Sequence, residues 1–102
     1  MINIELLRSL CLCDKLKWTL HVLNRMKERK ILSQEIIDTI LHGEIIVQYQ
    51  HDKPFPSCLL YNSNNLSPLH VVVSTDGMHA HIITAYIPSH DEWKIDFKTR
   101  KE

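Results

Sequence analysis

The sequence has no long apolar run, no net charge and few cysteines, and each of these absences argues against a class of protein. No apolar stretch approaches the roughly 18 residues that a membrane-spanning helix needs, so no transmembrane segment is expected. The first residues lack a basic start and a small-residue cleavage site, which argues against a secretory signal peptide. The three cysteines lie among apolar neighbours. An odd number of such cysteines fits buried thiols in a cytoplasmic protein better than a disulfide framework.

Acidic and basic residues balance over the whole chain but not along it. The 12 Lys/Arg and 12 Asp/Glu residues give a formal net charge of zero, which argues against a surface coated uniformly for nucleic acid. Residues 1–30 nevertheless contain seven Lys/Arg and three acidic residues, whereas residues 31–60 contain one lysine and four acidic residues. This uneven distribution predicts a local anion-binding site in the first third of the chain.

The 102 residues are enough for one domain with a single core. Apolar residues recur at helical spacing in the first part of the chain and alternate from residue 44 onwards. The helical part of the pattern predicts a helical arm within residues 1–13, a helix over 14–30 with Asp14 as its N-cap, and a helix from Ser33 that ends at Gly43. The alternating part predicts strands over 44–51, 57–61, 69–75 and 78–87. The predicted fold class is therefore α+β, with N-terminal helices packed on a four-stranded antiparallel sheet.

The predicted connections and core follow from the same pattern. Asp76-Gly77 between two β-rich runs indicates a hairpin, an open loop is expected over 62–68, and residues 14–88 form the expected core unit. Trp93 and Phe97 are four residues apart, which predicts a short docked helix in the tail over 89–102. The residues expected in the core are Ile36, Ile37, Ile40, Leu41, Val71, Val73, Ile83 and Ala85.

His21, Arg25 and Arg29 follow one another at four-residue spacing. On a helix each step of four residues turns about 40° past a full revolution, so the three side chains form one basic stripe. An imidazole can move protons near neutral pH, and guanidinium groups can hold phosphate oxygens. The basic stripe therefore fits phosphodiester chemistry, although a solvated basic helix face would have the same spacing.

No metal or other cofactor is expected. His70, His79 and His81 lie on neighbouring predicted strands, but no carboxylate or cysteine is obviously placed to complete a zinc site with them. Cys11-Leu12-Cys13 has one intervening residue, which is too few for the usual zinc knuckle.

An ordered set of short motifs resembles a small bacterial family of unknown function with the pattern H-x3-R-x3-R-x-I … G … hVvv … iiTvY-x-P. The resemblance covers roughly residues 18–88 and is carried by the basic stripe, Ile31, Gly43, Tyr49, the strand 69–73 and the run 83–86. Members of that family are often encoded beside zinc-finger antitoxins of the MqsA type. The family is grouped with RelE/BrnT-like toxins and with other metal-independent ribonucleases that share a RelE/barnase-like α+β sheet.

The resemblance implies a metal-independent endoribonuclease toxin that acts on RNA and is held by an antitoxin protein. In that interpretation His21 is the acid/base, and Arg25 and Arg29 hold the phosphate. Thr84 and Tyr86 lie two residues apart on the last strand and would present their hydroxyls toward the helix. Both are also ordinary strand-forming residues that packing alone would explain.

Three further residues are expected to contact the substrate, namely Trp18, Lys17 and Lys30. For Trp18, packing in the core is the favoured interpretation over stacking on a base. The alternative function is a non-catalytic interaction module whose basic helix face binds an acidic partner protein. In that case the arginines would bind carboxylates of the partner, and no RNA would be cleaved.

Overall fold

The computed structural model describes residues 1–63 and 67–101. Within these residues the chain forms three helices, α1 (Ile4–Leu12), α2 (Leu20–Arg29) and α3 (Ser33–His42). The same residues form five strands, β1 (Leu16–Trp18), β2 (Glu44–Tyr49), β3 (Ser57–Asn62), β4 (Leu69–Thr75) and β5 (Ala80–Tyr86). None of the helices in the described part of the chain is both long and apolar enough to cross a membrane.

The strands form one mixed sheet in the order β1-β5-β4-β3-β2. The pairs β2–β3, β3–β4 and β4–β5 are antiparallel, and β1 adds a parallel strand beside β5. The α+β class is thus confirmed, and the four antiparallel strands lie near their expected positions. The expectation of a sheet with only four strands is wrong, because a fifth, parallel strand extends it.

The helix predicted over 14–30 is replaced by β1 and the shorter helix α2. Asp14 has a φ of 59°, in the left-handed region, and it follows the end of α1 instead of capping a new helix. The N-cap of α2 is Thr19, whose hydroxyl oxygen accepts a hydrogen bond from the Val22 amide at 3.0 Å. Three alternating residues in β1 are too few to stand out in the sequence beside a strong helical pattern.

The helix α3 begins at Ser33 and ends at Gly43, as predicted. Ile36 and Ile40 are fully buried, whereas Ile37 and Leu41 are partly buried. The Gly43 amide donates to the Thr39 carbonyl at 2.9 Å. A Cβ at Gly43 would collide with the backbone oxygens of Thr39 and Tyr61, so the helix ends at a residue without a side chain.

A β-bulge in β5 changes which residues of this strand are buried. Val72 lies opposite Thr84 and Val73 lies opposite Ile82, so Ile83 is an extra residue without a cross-strand partner. Ile82 is fully buried, and Ile83 is 36% exposed. The prediction that Val71, Val73 and Ala85 are buried is confirmed; for Ile83 it is wrong, because the bulge shifts the alternation by one residue.

The connections largely follow the turn signals. The Asp76 carboxylate accepts hydrogen bonds from the amides of Met78 and His79, each at 2.8 Å, and it stabilises the predicted hairpin between β4 and β5. The open loop was expected over 62–68, but Asn62 belongs to β3. Residues 64–66 of that loop lie outside the described residues.

The three cysteines are free and differ in their exposure. Cys58 is fully buried on β3, and this burial raises the pKa of its thiol to about 12. Cys11 is partly buried and Cys13 is exposed. The expectation of buried thiols therefore fits Cys58 best and is wrong for Cys13.

The two faces of the sheet have different surroundings. One face packs against the helices through a core that includes Val22, Ile36, Ile40, Leu60, Val71 and Ile82. Because side chains alternate along a strand, His70 between Leu69 and Val71 points to the opposite face. The C-terminal residues 89–101 cover part of that face. They form turns and one bridge between Trp93 and Arg100.

The prediction of a short helix in the tail is wrong. Phe97 has a φ of 57°, which a right-handed helix does not allow. The prediction that aromatic side chains dock the tail is confirmed for Trp93, which is only 3% exposed.

Candidate functional site

The three residues of the basic stripe all lie on α2. The helix is fixed to the sheet at its start, where the Thr19 hydroxyl donates to the Ile82 carbonyl at 3.2 Å. Val22 and Met26 are buried beneath the helix. His21 is exposed, so its imidazole is accessible to a ligand. The spacing read from the sequence thus gives one accessible basic face along α2.

Arg25 forms an ion pair within the same helix. Its Nη1 atom lies 3.0 and 2.9 Å from the two carboxylate oxygens of Glu28. The Arg25 side chain is 35% exposed and that of Glu28 is 61% exposed. Ion pairs at such accessible positions typically contribute about 1 kcal/mol or less. A phosphate or another carboxylate can therefore displace Glu28 at little cost.

Arg29 links the end of α2 to the edge of the sheet. Its Nη1 atom donates to the Ala85 carbonyl at 2.7 Å. Ala85 lies beyond the part of β5 that pairs with β1, because β1 reaches only Ala80 to Ile82. Arg29 therefore satisfies a carbonyl at a strand edge that β1 does not cover. A guanidinium has five N–H donors, so the anchored group retains donors for a ligand.

Replacing Arg29 with glutamine should lower the free energy of unfolding by about 1–2 kcal/mol, since the Ala85 carbonyl loses a charged hydrogen-bond donor. The matched control is Arg25→Gln, which removes an exposed ion pair and should cost about 1 kcal/mol or less. Urea denaturation followed by circular dichroism measures both effects. Equal, small changes in the two variants would show that the β5 edge does not depend on Arg29.

Tyr86 and Thr84 are not turned toward α2. The Tyr86 hydroxyl lies 3.2 Å from Nδ1 of His70, on the sheet face opposite the helices. Thr84 lies two residues before Tyr86 on the same strand and opposite Val72. The strand alternates, so placing Ala85 in the helix-packed core directs both neighbours to the other face. The basic stripe thus meets β5 through the Ala85 backbone and not through these hydroxyls.

The three further residues expected to contact the substrate lie in different places. Trp18 lies on β1 and packs against the core, as the packing interpretation predicted. Lys17 is exposed between Leu16 and Trp18, so it points to the face away from the helices. Lys30 caps α2 with a φ of 57° and is exposed beside Arg29. Lys30 is therefore the one of the three that is nearest in sequence to the anchored guanidinium.

A second cluster, around His70, has no clear signal in the sequence. His70 is fully buried, and its Nε2 atom lies 2.7 Å from the Phe97 carbonyl oxygen. The rings of Tyr61, Tyr86 and Trp93 surround it edge-on. Burial lowers the pKa of His70, and Arg100 lowers it further, whereas the bond to Phe97 acts in the opposite direction. The sequence singles out His70 only as one of three nearby histidines, because no local pattern shows that the tail folds back.

His81, which the sequence grouped with His70, has different partners. His81 lies beside Asp76, with 3.4 Å between Nε2 and a carboxylate oxygen, and its ring stacks on Phe55. Across the described residues, no group of three or more His, Cys, Asp or Glu side chains is arranged to hold a metal ion.

Residues 18–87 match the family described as Domain of unknown function (DUF4258). The matched region contains the basic stripe, α3 and the strands β2 to β5, and it ends before the segment that covers His70. No curated protein and no solved structure matches the chain. The match covers more than half of the chain and confirms the resemblance to a family of unknown function. The chain belongs to the DUF4258 family.

Proposed function

We propose that this protein is a metal-independent endoribonuclease toxin of a toxin–antitoxin pair, with a RelE/barnase-like fold and a cytoplasmic RNA substrate. The observation that carries the proposal is the face of α2. It presents an accessible imidazole followed by two guanidinium groups, one of which is anchored to the sheet by a 2.7 Å hydrogen bond. Anchoring reduces the conformational entropy that Arg29 would lose on binding a phosphate.

In the proposed reaction His21 accepts the proton of a ribose 2′-hydroxyl. The 2′-oxygen attacks the adjacent phosphorus, the bond to the 5′-oxygen breaks, and a 2′,3′-cyclic phosphate forms. The proton held by His21 is then available to the leaving 5′-oxygen. Arg25 and Arg29 stabilise the negative charge that builds up on the phosphate oxygens. These groups supply proton transfer and charge stabilisation, so the proposed step needs no metal.

The proposal requires RNA to compete with Glu28 for Arg25. A bound phosphate would replace the exposed Glu28 carboxylate as the partner of Arg25. In the proposed complex Arg29 holds the same phosphate. Binding of single-stranded RNA should weaken as the salt concentration rises. Each phosphate contact should add about −0.7 to the slope of the logarithm of the binding constant against the logarithm of the salt concentration. Lys30, the exposed residue that ends α2, adds a further positive charge next to Arg29 in the sequence.

Expression without a partner protein tests the proposed toxin activity in cells. We expect the wild-type chain to inhibit growth and degrade cellular RNA, and we expect Arg25→Gln to relieve both effects substantially because the phosphate loses a ligand. Growth curves and RNA gels measure the two outcomes, with Lys27→Gln as a control on the same helix. Harmless expression of folded wild-type protein with intact RNA would contradict the proposal.

The alternative function is a non-catalytic interaction module that binds an acidic partner. One observation favours it, since Arg25 already binds a carboxylate at 2.9–3.0 Å. The Tyr86 hydroxyl, in addition, lies with His70 and not beside His21. In this alternative Arg25→Gln weakens binding of the partner, and RNA is cleaved neither by this variant nor by the wild-type chain. The partner protein would be an antitoxin if the chain is a toxin, and an acidic protein bound by the basic stripe if it is an interaction module.

A further inference from the structure

The C-terminal strap, defined as residues 89–101, covers the part of the sheet face that carries His70. Trp93 is 3% exposed, and its ring centroid lies 4.5 Å from that of His70. The Phe97 carbonyl oxygen lies 2.7 Å from Nε2 of His70. Lys98 extends the contact to β2 through an ion pair with Glu44 at 3.1 Å. The strap lies beyond residue 87, where the family match ends, so it is an addition to the matched region.

The hydrogen bonds of His70 fix the tautomer of its neutral ring. The Phe97 carbonyl can only accept, so Nε2 carries the proton and donates. In the neutral ring Nδ1 is then an acceptor, and the Tyr86 hydroxyl donates to it at 3.2 Å. Protonation would place a second N–H on Nδ1 and oblige Tyr86 to accept. It would also add a positive charge to a fully buried ring near the cation of Arg100.

We propose that His70 makes the C-terminal strap pH-sensitive, so that protonation of His70 releases the strap and uncovers the face formed by Tyr61, His70 and Tyr86. Neutral His70 favours the docked strap. Once the strap is released, His70 is hydrated and regains an ordinary pKa near 6.5. The equilibrium constant for docking of the strap is therefore at its maximum above about pH 6.5. Below that pH it falls by up to about tenfold per pH unit. That loss levels off below the lowered pKa of the docked state.

Other charged and titratable groups surround this contact. Tyr61, Tyr86 and Glu44 face it from β3, β5 and β2, and within the strap Lys98 pairs with Glu44 and Arg100 pairs with Glu92. Among side chains, an imidazole is the group that ordinarily changes charge between pH 5 and 7. The strap itself carries an imidazole, His90, whose ring centroid lies 4.6 Å from that of Phe97. His90 is therefore the group from which His70 must be distinguished.

Acrylamide quenching of Trp93 fluorescence tests the proposal. The chain has two tryptophans, so Trp18→Phe leaves Trp93 as the only fluorescent indole. We expect the quenching constant of Trp93 to rise severalfold between about pH 7.5 and about pH 5, with an unchanged circular dichroism spectrum. His70→Gln should remove this pH response, because an amide does not titrate, and His90→Gln should retain it.

Hydrogen exchange of the wild-type chain provides a second readout that needs no substitution. After correction for the intrinsic effect of pH, amides in the strap should lose protection at low pH while amides in β4 keep theirs. Four results would overturn the proposal: Trp93 protected at low pH, a response that survives in His70→Gln, a response that disappears in His90→Gln, or loss of β4 protection together with the strap.

Discussion

His21→Ala is expected to lower the rate of RNA cleavage by about two to four orders of magnitude, because the 2′-hydroxyl loses its proton acceptor. The substitution lies at an exposed position on α2, so the free energy of unfolding should change by about 0.5 kcal/mol or less. Cleavage of a fluorescent RNA oligonucleotide by purified protein measures the effect.

His42→Ala is the matched control for His21→Ala. His42 is also an exposed histidine in a helix, but it ends α3 instead of lying on the basic stripe. We expect wild-type cleavage from this variant. Equal rates for His21→Ala and wild type would exclude His21 as the acid/base.

Ile82→Asp should lower the free energy of unfolding by several kcal/mol, because it would bury an unpaired carboxylate in the core beneath α2. Ile83→Asp should cost about 1 kcal/mol or less, since Ile83 is the bulged residue and is 36% exposed. Urea denaturation compares the two midpoints.

An unfolded Ile82→Asp chain would give no midpoint, so Ile82→Ala serves as a milder variant with an expected loss of about 2–5 kcal/mol. Similar midpoints for the substitutions at 82 and 83 would mean that the bulge is misplaced. A larger loss at Ile83 would mean that the faces of β5 are reversed.

The parts of the fold that were predicted correctly depend on local signals. The spacing of Ile36 and Ile40 and the stop at Gly43 define α3, because a helix buries residues three and four apart. Asp76 and Gly77 define a hairpin through their own hydrogen bonds and backbone geometry. Such features need no knowledge of distant residues.

The parts that were missed depend on distant residues. The strand β1 exists through its pairing with β5, more than 60 residues later in the chain. The bulge at Ile83 depends on the register against β4, and a single strand sequence does not reveal its register. The strap has no periodic pattern, and His70 and Trp93 explain its position only after the chain has folded.

The candidate site divides in the same way. The four-residue spacing of His21, Arg25 and Arg29 survives because all three lie in α2. The link from Arg29 to the Ala85 carbonyl and the pairing of Tyr86 with His70 are tertiary contacts. The sequence therefore predicted the basic stripe but not the groups that it meets.

The measurement that tests the proposed function most directly is cleavage of single-stranded RNA by the purified chain in excess EDTA. The proposed reaction predicts fragments that end in a 2′,3′-cyclic phosphate and begin with a 5′-hydroxyl, and no cleavage of the corresponding DNA. Intact RNA after incubation with folded protein, or cleavage that appears only when a divalent metal is added, would contradict it.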